Sequence, residues 1–229
     1  MRWSEGFCMS CPYQAVLFDL DGTITDSQEG IIKCVQFALQ SLGIEETDGS
    51  RLKSFIGPPL WDTFQHLYHL SDEQTDQAVE KYRERFRVTG IYENRLYDGI
   101  KPLLERLKGK GIKLAIASTK PLVFVEEVLR YFGITELFDA VCGTALDKAH
   151  SDKAPLIRDA LRQLDVPADR AVMIGDRRFD VEGARSVGMP SIGVLYGYGS
   201  KEELSAAGAT QLAPSVAGLT ELLCSHTFC

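Results

Sequence analysis

Long apolar runs are missing from this chain. No window approaches the ~18 consecutive apolar residues that a helix needs to cross a bilayer, so no membrane span is expected. Clustered positive charge is missing as well. The formal net charge is −7 and the pI is near 5.2. No Lys/Arg block supplies the counter-charge that a nucleic-acid backbone demands, so a nucleic-acid polymer is disfavoured as a partner. Residues 1–12 lack the apolar core of a secretory signal, and a cytoplasmic protein is expected. Cysteine is present without a pairing pattern. Cys8-x-x-Cys11 has no second such pair and follows no βαβ unit. Cys34 and Cys142 lie inside apolar patterns, where a thiol acts as a small hydrophobe, and Cys224 and Cys229 sit near the end. Reduced thiols are expected throughout. Residues 1–12 are expected to be a poorly ordered extension, with Met9 an alternative start.

What remains is ordinary for a globular protein: 229 residues, 45% hydrophobic and 25% charged, enough to bury a good core. One stretch stands apart, Phe18-Asp19-Leu20-Asp21-Gly22-Thr23-Ile24-Thr25-Asp26. The apolar run 15–18 is short enough for one buried strand. It delivers two carboxylates, Asp19 and Asp21, to the same side of an extended chain. Two like charges this close repel unless a cation or a shared proton relieves them. Gly22 then removes the Cβ where the chain must bend. A bare D-x-D also suits a solvated turn; the apolar approach and the Gly-Thr exit favour a divalent-metal or acid/base site.

Downstream, Ile31, Val35, Ala38, Leu39 and Leu42 repeat with helical spacing up to Gly43. Asp26 and Glu29 approximate a capping box for that helix. Ile56-Gly57-Pro58-Pro59-Leu60 cannot be regular helix, and 60–70 and 71–88 are two further amphipathic helices. Residues 27–96 are thus helical in character, with no strand pattern. Beyond Asp98-Gly99 the period changes. Helices are expected near 100–107, 153–164, 179–187, 201–207 and 215–224, and strands at 112–117, 138–142, 171–174 and 191–194. Pro121 suits the first position of the helix after the second strand. Alternating strands and helices predict an α/β fold, a doubly wound parallel sheet, interrupted after its first strand by a helical insertion. The division is 13–26 and 97–229 for the α/β core and 27–96 for the insertion. Ligands of such sheets bind beyond the carboxyl ends of the strands, where Asp19, Asp21, Ser118, Thr119 and Asp176 fall.

Oxygen donors from two strand ends, Asp19 and Asp176, suit a hard cation, Mg²⁺ above all. Lys153 opens a helix and brings a compact positive charge. Ser118 and Thr119 bring hydroxyls, and together these groups make an anion hole facing a carboxylate, as phosphoryl transfer requires. Each has a plainer alternative. Gly175-Asp176 also suits a turn, Asp180 a helix cap, Lys153 an exposed helix face and Ser118 a hydroxyl-capped turn. Their joint placement at strand ends and helix starts favours the chemistry.

In that order the residues resemble the haloacid dehalogenase (HAD) superfamily of phosphohydrolases, from Tyr13 onward. Asp19 and Asp21 fit its first motif, D-x-D-G-T-x-x-D, Ser118 its second, Lys153 its third, and Gly175-Asp176-x-x-x-Asp180 its fourth. The resemblance implies that Asp19 attacks phosphorus to form an aspartyl-phosphate, and that Asp21 serves as general acid and then base. It implies Mg²⁺ held by Asp19, Asp176 and the Asp21 carbonyl, with Asp180 in support, and a phosphoryl group held by Ser118, Thr119 and Lys153. Asp21 argues against the dehalogenase and phosphonate-cleaving branches. Gly22-Thr23 differs from the D-G-V usual in sugar-phosphate mutases, which stay an alternative, as does a non-catalytic binding protein on the same scaffold. The insertion resembles a C1 cap. Ser118-Thr119-Lys120-Pro121, Gly175-Asp176-Arg177 and Gly193-Val194-Leu195-Tyr196-Gly197-Tyr198-Gly199 resemble the phosphoglycolate phosphatase and 5′-nucleotidase subgroup, which implies a small phosphate monoester as substrate. One departure is His150-Ser151-Asp152-Lys153, where Arg is expected before the Ser. The 56–60 loop resembles the cap's specificity loop, and Lys33, Tyr82, Arg83 and Arg85 are the polar candidates on the insertion. Tyr82-Arg83-Glu84-Arg85 equally suits a solvated face.

Overall fold

A computed structural model describes residues 12–146 and 152–224. Cys8, Met9, Cys11, His150, Ser151 and Cys229 lie outside them, and with them the expectations for the extension and for the departure before Lys153. Strand β1, Ala15–Phe18, is fully buried. It lies at the middle of a six-stranded sheet of order β5-β4-β1-β6-β7-β8. The strands are β4 (Lys113–Pro121), β5 (Ala140–Thr144), β6 (Ala171–Gly175), β7 (Ser191–Val194) and β8 (Gln211–Ala213). All pair in parallel, and a parallel sheet is covered on both faces. Hence β1 is an unbroken apolar run. Val16 and Phe18 join one core with Leu104 and Val125, while Ala15 and Leu17 join the other with Ile157 and Ala184. The predicted doubly wound α/β core is what the chain forms.

The helical stretch departs from β1 after a tight loop. Helices α1 (Gln28–Ser41), α2 (Gly49–Lys53), α3 (Leu60–Tyr68) and α4 (Asp72–Arg85) lead into a wider π-helical turn, Phe86–Gly90. α1 packs on α4 through a stripe including Cys34, Val35, Ala78 and Val79. Gly30 on α1 faces Gly90, and a Cβ at position 30 would collide with the Gly90 carbonyl oxygen. This closeness ties the π-helical turn to α1.

Several local expectations are corrected. Strand character is present in the 27–96 stretch: Thr25–Asp26 (β2) pairs antiparallel with Arg95–Leu96 (β3), so the outgoing and returning chains form one ribbon. Two-residue strands carry no alternation to detect. Asp26 makes no capping box with Glu29, because Ser27 precedes α1 without a side-chain cap bond. Asp26 is instead taken up by Arg95 at 2.7 Å and by the Tyr198 hydroxyl at 2.9 Å. Strand β4 runs through Ser118, Thr119 and Lys120 to Pro121, irregularly after Ala117. Pro121 therefore ends the strand and sits one residue before helix α6, Leu122–Tyr131. Strand β5 lies two residues later than expected. The helices α5 (Ile100–Gly109), α7 (Ala154–Leu164), α8 (Arg178–Ser186), α9 (Lys201–Ala207) and α10 (Val216–Cys224) fall within one or two residues of expectation. Among the described residues the cysteines Cys34, Cys142 and Cys224 are free, and no helix is long and apolar enough to cross a membrane.

Gly30→Ala is expected to cost about 1–3 kcal/mol as an overpacked contact. Gly49→Ala, with no atom near the new methyl, should stay within about 0.5 kcal/mol of the parent. Urea unfolding of the two variants compares them directly.

Candidate active site

Strand order reverses around β1, placing its carboxyl end at the crevice where such sheets bind ligands. Asp19 continues the ladder, its N–H donating to the Ile174 carbonyl at 2.9 Å. The chain then closes on itself: the Gly22 N–H donates to Thr25 O at 2.7 Å and the Thr25 N–H to Leu20 O at 3.0 Å. Gly22 sits at φ +86, and a Cβ there would overlap the Asp176 carboxylate. Both the backbone conformation and the space demand glycine.

Asp176 follows β6 and is fully buried. Its carboxylate accepts from the Thr23 hydroxyl at 3.3 Å and from the Tyr198 N–H at 2.8 Å. Asp180, on the first turn of α8, accepts from the Arg177 N–H at 3.0 Å and pairs with Lys153. Asp180 thus caps its helix and also reaches Lys153. Lys153 precedes α7, is buried, and also lies 2.8 Å from Asp19 Oδ1. Its exposed-helix alternative is overturned. That contact is an ion pair without hydrogen-bond alignment, and Asp19 Oδ1 and Asp21 Oδ1 are buried acceptors that receive no hydrogen bond.

Oxygens of Asp19, Asp176 and Asp180 lie within 4.8 Å of one another. Three carboxylates thus face one ammonium. Burial, then the charges of Asp180 and Asp19, pushes Asp176 well above the usual carboxylate range. Burial also raises Asp180, to about 6, against the pull of Lys153. Burial alone would lower Lys153, but Asp180 and Asp19 override it and the ammonium is held above its ordinary value. An all-oxygen donor set, orphaned acceptors and uncompensated negative charge fit a hard divalent cation.

The remaining predicted residues separate. Asp21 is not a member of that cluster and pairs with Lys120 at 2.8 Å. Lys120 also stands over the Phe86 ring of the π-helical turn, 4.7 Å from its centroid. Ser118 is buried, and its oxygen receives a long bond from the Lys120 N–H at 3.4 Å, the hydroxyl-capped turn named among the alternatives. Thr119 donates to Gly57 O at 3.4 Å. Both still line a cavity of about 550 Å³, with Asp19 and Asp21 on its floor and α3 and α4 on its far wall. Gly57, Pro58, Pro59 and Leu60 line it too, as do Tyr82 and Arg83. Lys33 and Arg85 do not line this cavity. They pair with Glu93 at 2.9 and 2.7 Å on the far side of α1.

Three participants went unassigned in the sequence. Lys120 and Arg177 stand in the stretches quoted for the subgroup resemblance, but their roles emerge only with their partners, Asp21 for the first and Ile56 O, at 2.5 Å, for the second. The Tyr198 N–H that holds Asp176 lies in the glycine-rich 197–199 loop. That run of glycines was the visible trace.

A buried carboxylate cluster at the reversal point of a parallel sheet, beside a helical stretch that lines the same cleft, marks an α/β enzyme whose site suits a hard cation. The chain belongs to the haloacid dehalogenase-like hydrolase family, whose model matches residues 16–194. It is similar to a Pseudomonas aeruginosa protein named 5′-nucleotidase, at 48% identity over 214 residues, covering 93% of this chain and 97% of that one. A Colwellia psychrerythraea phosphoglycolate phosphatase is 31% identical over 202 residues, covering 84% and 88%. The crystal structure of a "predicted phosphatase" from Clostridium acetobutylicum superimposes with a TM-score of 0.86 at 45% identity, covering 91% of this chain and 97% of that one.

The raised carboxylates set a pH dependence. Asp176 and Asp180 hold protons in the folded chain at pH values where the unfolded chain, with carboxyls near pKa ~3.9, has released them. The metal-free protein should therefore lose stability as pH rises from about 4 through about 6 and beyond. Asp176→Asn should flatten that slope. Urea midpoints in EDTA across the window measure both, and equal slopes would contradict the assignment.

Proposed function

We propose that this phosphatase is a Mg²⁺-dependent phosphomonoesterase acting through an aspartyl-phosphate on Asp19. The observation that carries the reading is the uncompensated carboxylate cluster, one member of which, Asp19, lines a substrate-sized cleft. Asp19, Asp176 and the Asp21 backbone carbonyl would hold the ion, with Asp180 fixing Lys153 beside them. When bound, Mg²⁺ supplies positive charge against the phosphoryl oxygens.

The residues divide the work. An Asp19 carboxylate oxygen attacks phosphorus as the bond to the substrate's alcohol oxygen breaks, and Asp21 gives that oxygen a proton. Asp21 then takes a proton from water, whose oxygen attacks the phosphoryl group and frees Asp19 and inorganic phosphate. Lys120 orients the Asp21 carboxylate meanwhile. Ser118 and Lys153 hold the transferring group, Thr119 lines its approach, and the ammonium of Lys153 offsets Asp19. Residues 27–96 act as a cap over a core formed by 13–26 and 97–229. The substrate is a small phosphate monoester, in keeping with the two named relatives. A mutase would return the phosphoryl group to a sugar, and Gly22-Thr23 disfavours it.

Phosphate release should require Mg²⁺ and stop in EDTA. Asp19→Asn should abolish it, while Asp21→Asn should slow turnover by about 10²–10⁴-fold and leave phosphorylated Asp19 detectable by mass spectrometry. Release that persists in Asp19→Asn would sink the aspartyl-phosphate assignment.

A further inference from the structure

The charge on the outer wall of the cleft narrows the substrate. The floor uses its cations internally: Lys153 on Asp19 and Asp180, Lys120 on Asp21. The cap wall carries Asp62, Asp76 and Glu80 against a single cation, Arg83. That guanidinium is itself engaged, donating to Leu146 O at 2.5 Å and pairing with Glu80 at 3.4 Å. Asp76 accepts from the Trp61 indole at 2.9 Å, which fixes both groups on the wall. Among the described lining residues, therefore, no uncommitted cation waits for a second anionic group. Among its described residues the cap side of the wall is two formal charges negative, three carboxylates less one guanidinium.

Size and polarity add to this. About 550 Å³ is room for a drug-sized ligand rather than a two-carbon acid. Phe55, Trp61, Val79 and Phe86 give the cleft broad apolar and aromatic faces. A flat ring gains from burial against them, and donors on that ring meet the wall's carboxylates.

We infer that the alcohol part of the substrate is ring-bearing and neutral or cationic, and that esters carrying a carboxylate are selected against by the cap wall. The inference rests on the phosphomonoesterase reading and chooses between substrate classes within it. Discrimination of this kind is a repulsive element: a carboxylated ester would place its charge among like charges with no partner to neutralise it. Asp62, Asp76 and Glu80 are exposed at the rim, so the repulsion is open to screening by salt.

The test compares kcat/KM for esters matched in size. Ethanolamine phosphate, 2-hydroxyethyl phosphate and phosphoglycolate differ mainly in charge. Uridine and orotidine 5′-monophosphates differ by one ring carboxylate. The cationic and neutral members should exceed the carboxylated one by at least about tenfold at low ionic strength, and the gap should shrink as salt is added. Uridine monophosphate should exceed the two-carbon esters. Glu80→Lys, and independently Asp62→Lys, should narrow the gap by raising turnover of phosphoglycolate relative to 2-hydroxyethyl phosphate, with circular-dichroism melts matching the parent to certify folding. Equal rates, a preference for phosphoglycolate, or charge reversals that change nothing would overturn the inference and leave the hydrolase intact. No phosphate from any ester would overturn the hydrolase reading and this inference with it.

Discussion

Like charge buried at the end of a sheet is the constraint on which this molecule depends. Asp19, Asp176 and Asp180 converge with one lysine among them, and all four are buried. A carboxylate moved out of water loses hydration that a single counter-ion does not restore. The fold tolerates the arrangement by distributing support. Asp176 takes a backbone N–H and a threonine hydroxyl, Asp180 takes the N–H of its own helix start, and Lys153 spans Asp180 and Asp19. What remains unrelieved drives protonation of Asp176 and Asp180 in the bare chain and makes the same oxygens receptive to a cation. Affinity for a hard ion and instability without one are two expressions of the same charge excess.

The same economy links the site to the insertion above it. Arg177 directly follows Asp176 and donates to Ile56 O, at the entry to the Gly-Pro-Pro loop. Thr119, beside Ser118, donates to Gly57 O in that loop. Lys120 holds Asp21 with its ammonium and rests on the Phe86 ring. Arg83 returns the contact from α4 to Leu146. Arg177 and Thr119, each next in sequence to a site residue, thus bond to the roof of the cleft. The β2–β3 ribbon, fastened by Asp26, Arg95 and Tyr198, keeps the two connecting chains together.

The sequence carried a large part of this. The apolar 15–18 run, the D-x-D-G-T step and the strand–helix alternation are local signals, because burial on both faces of a parallel sheet demands unbroken apolar residues and a tight exit demands glycine. They determined the α/β class and the strand ends at which Asp19 and Asp176 fall, while Ser118 lies within the irregular last part of β4. Asp180 was legible twice, as a cap and as a neighbour of the strand-end carboxylates, and the structure places it in both positions.

Tertiary structure decided what rests on pairing between distant residues. Two-residue strands have no periodicity, so the ribbon at the base of the insertion was invisible, and Asp26 looked like a helix cap until Arg95 and Tyr198 claimed it. Lys120 and Arg177 are ordinary cations in sequence and become part of the site only through contacts 99 and 121 residues away. Lys33 and Arg85 look equally suited to a ligand, yet the chain turns them toward Glu93. Hydrophobic periodicity reports which face of an element is buried; it carries no information about which charged groups that burial brings together, and the chemistry of this site lies in those encounters.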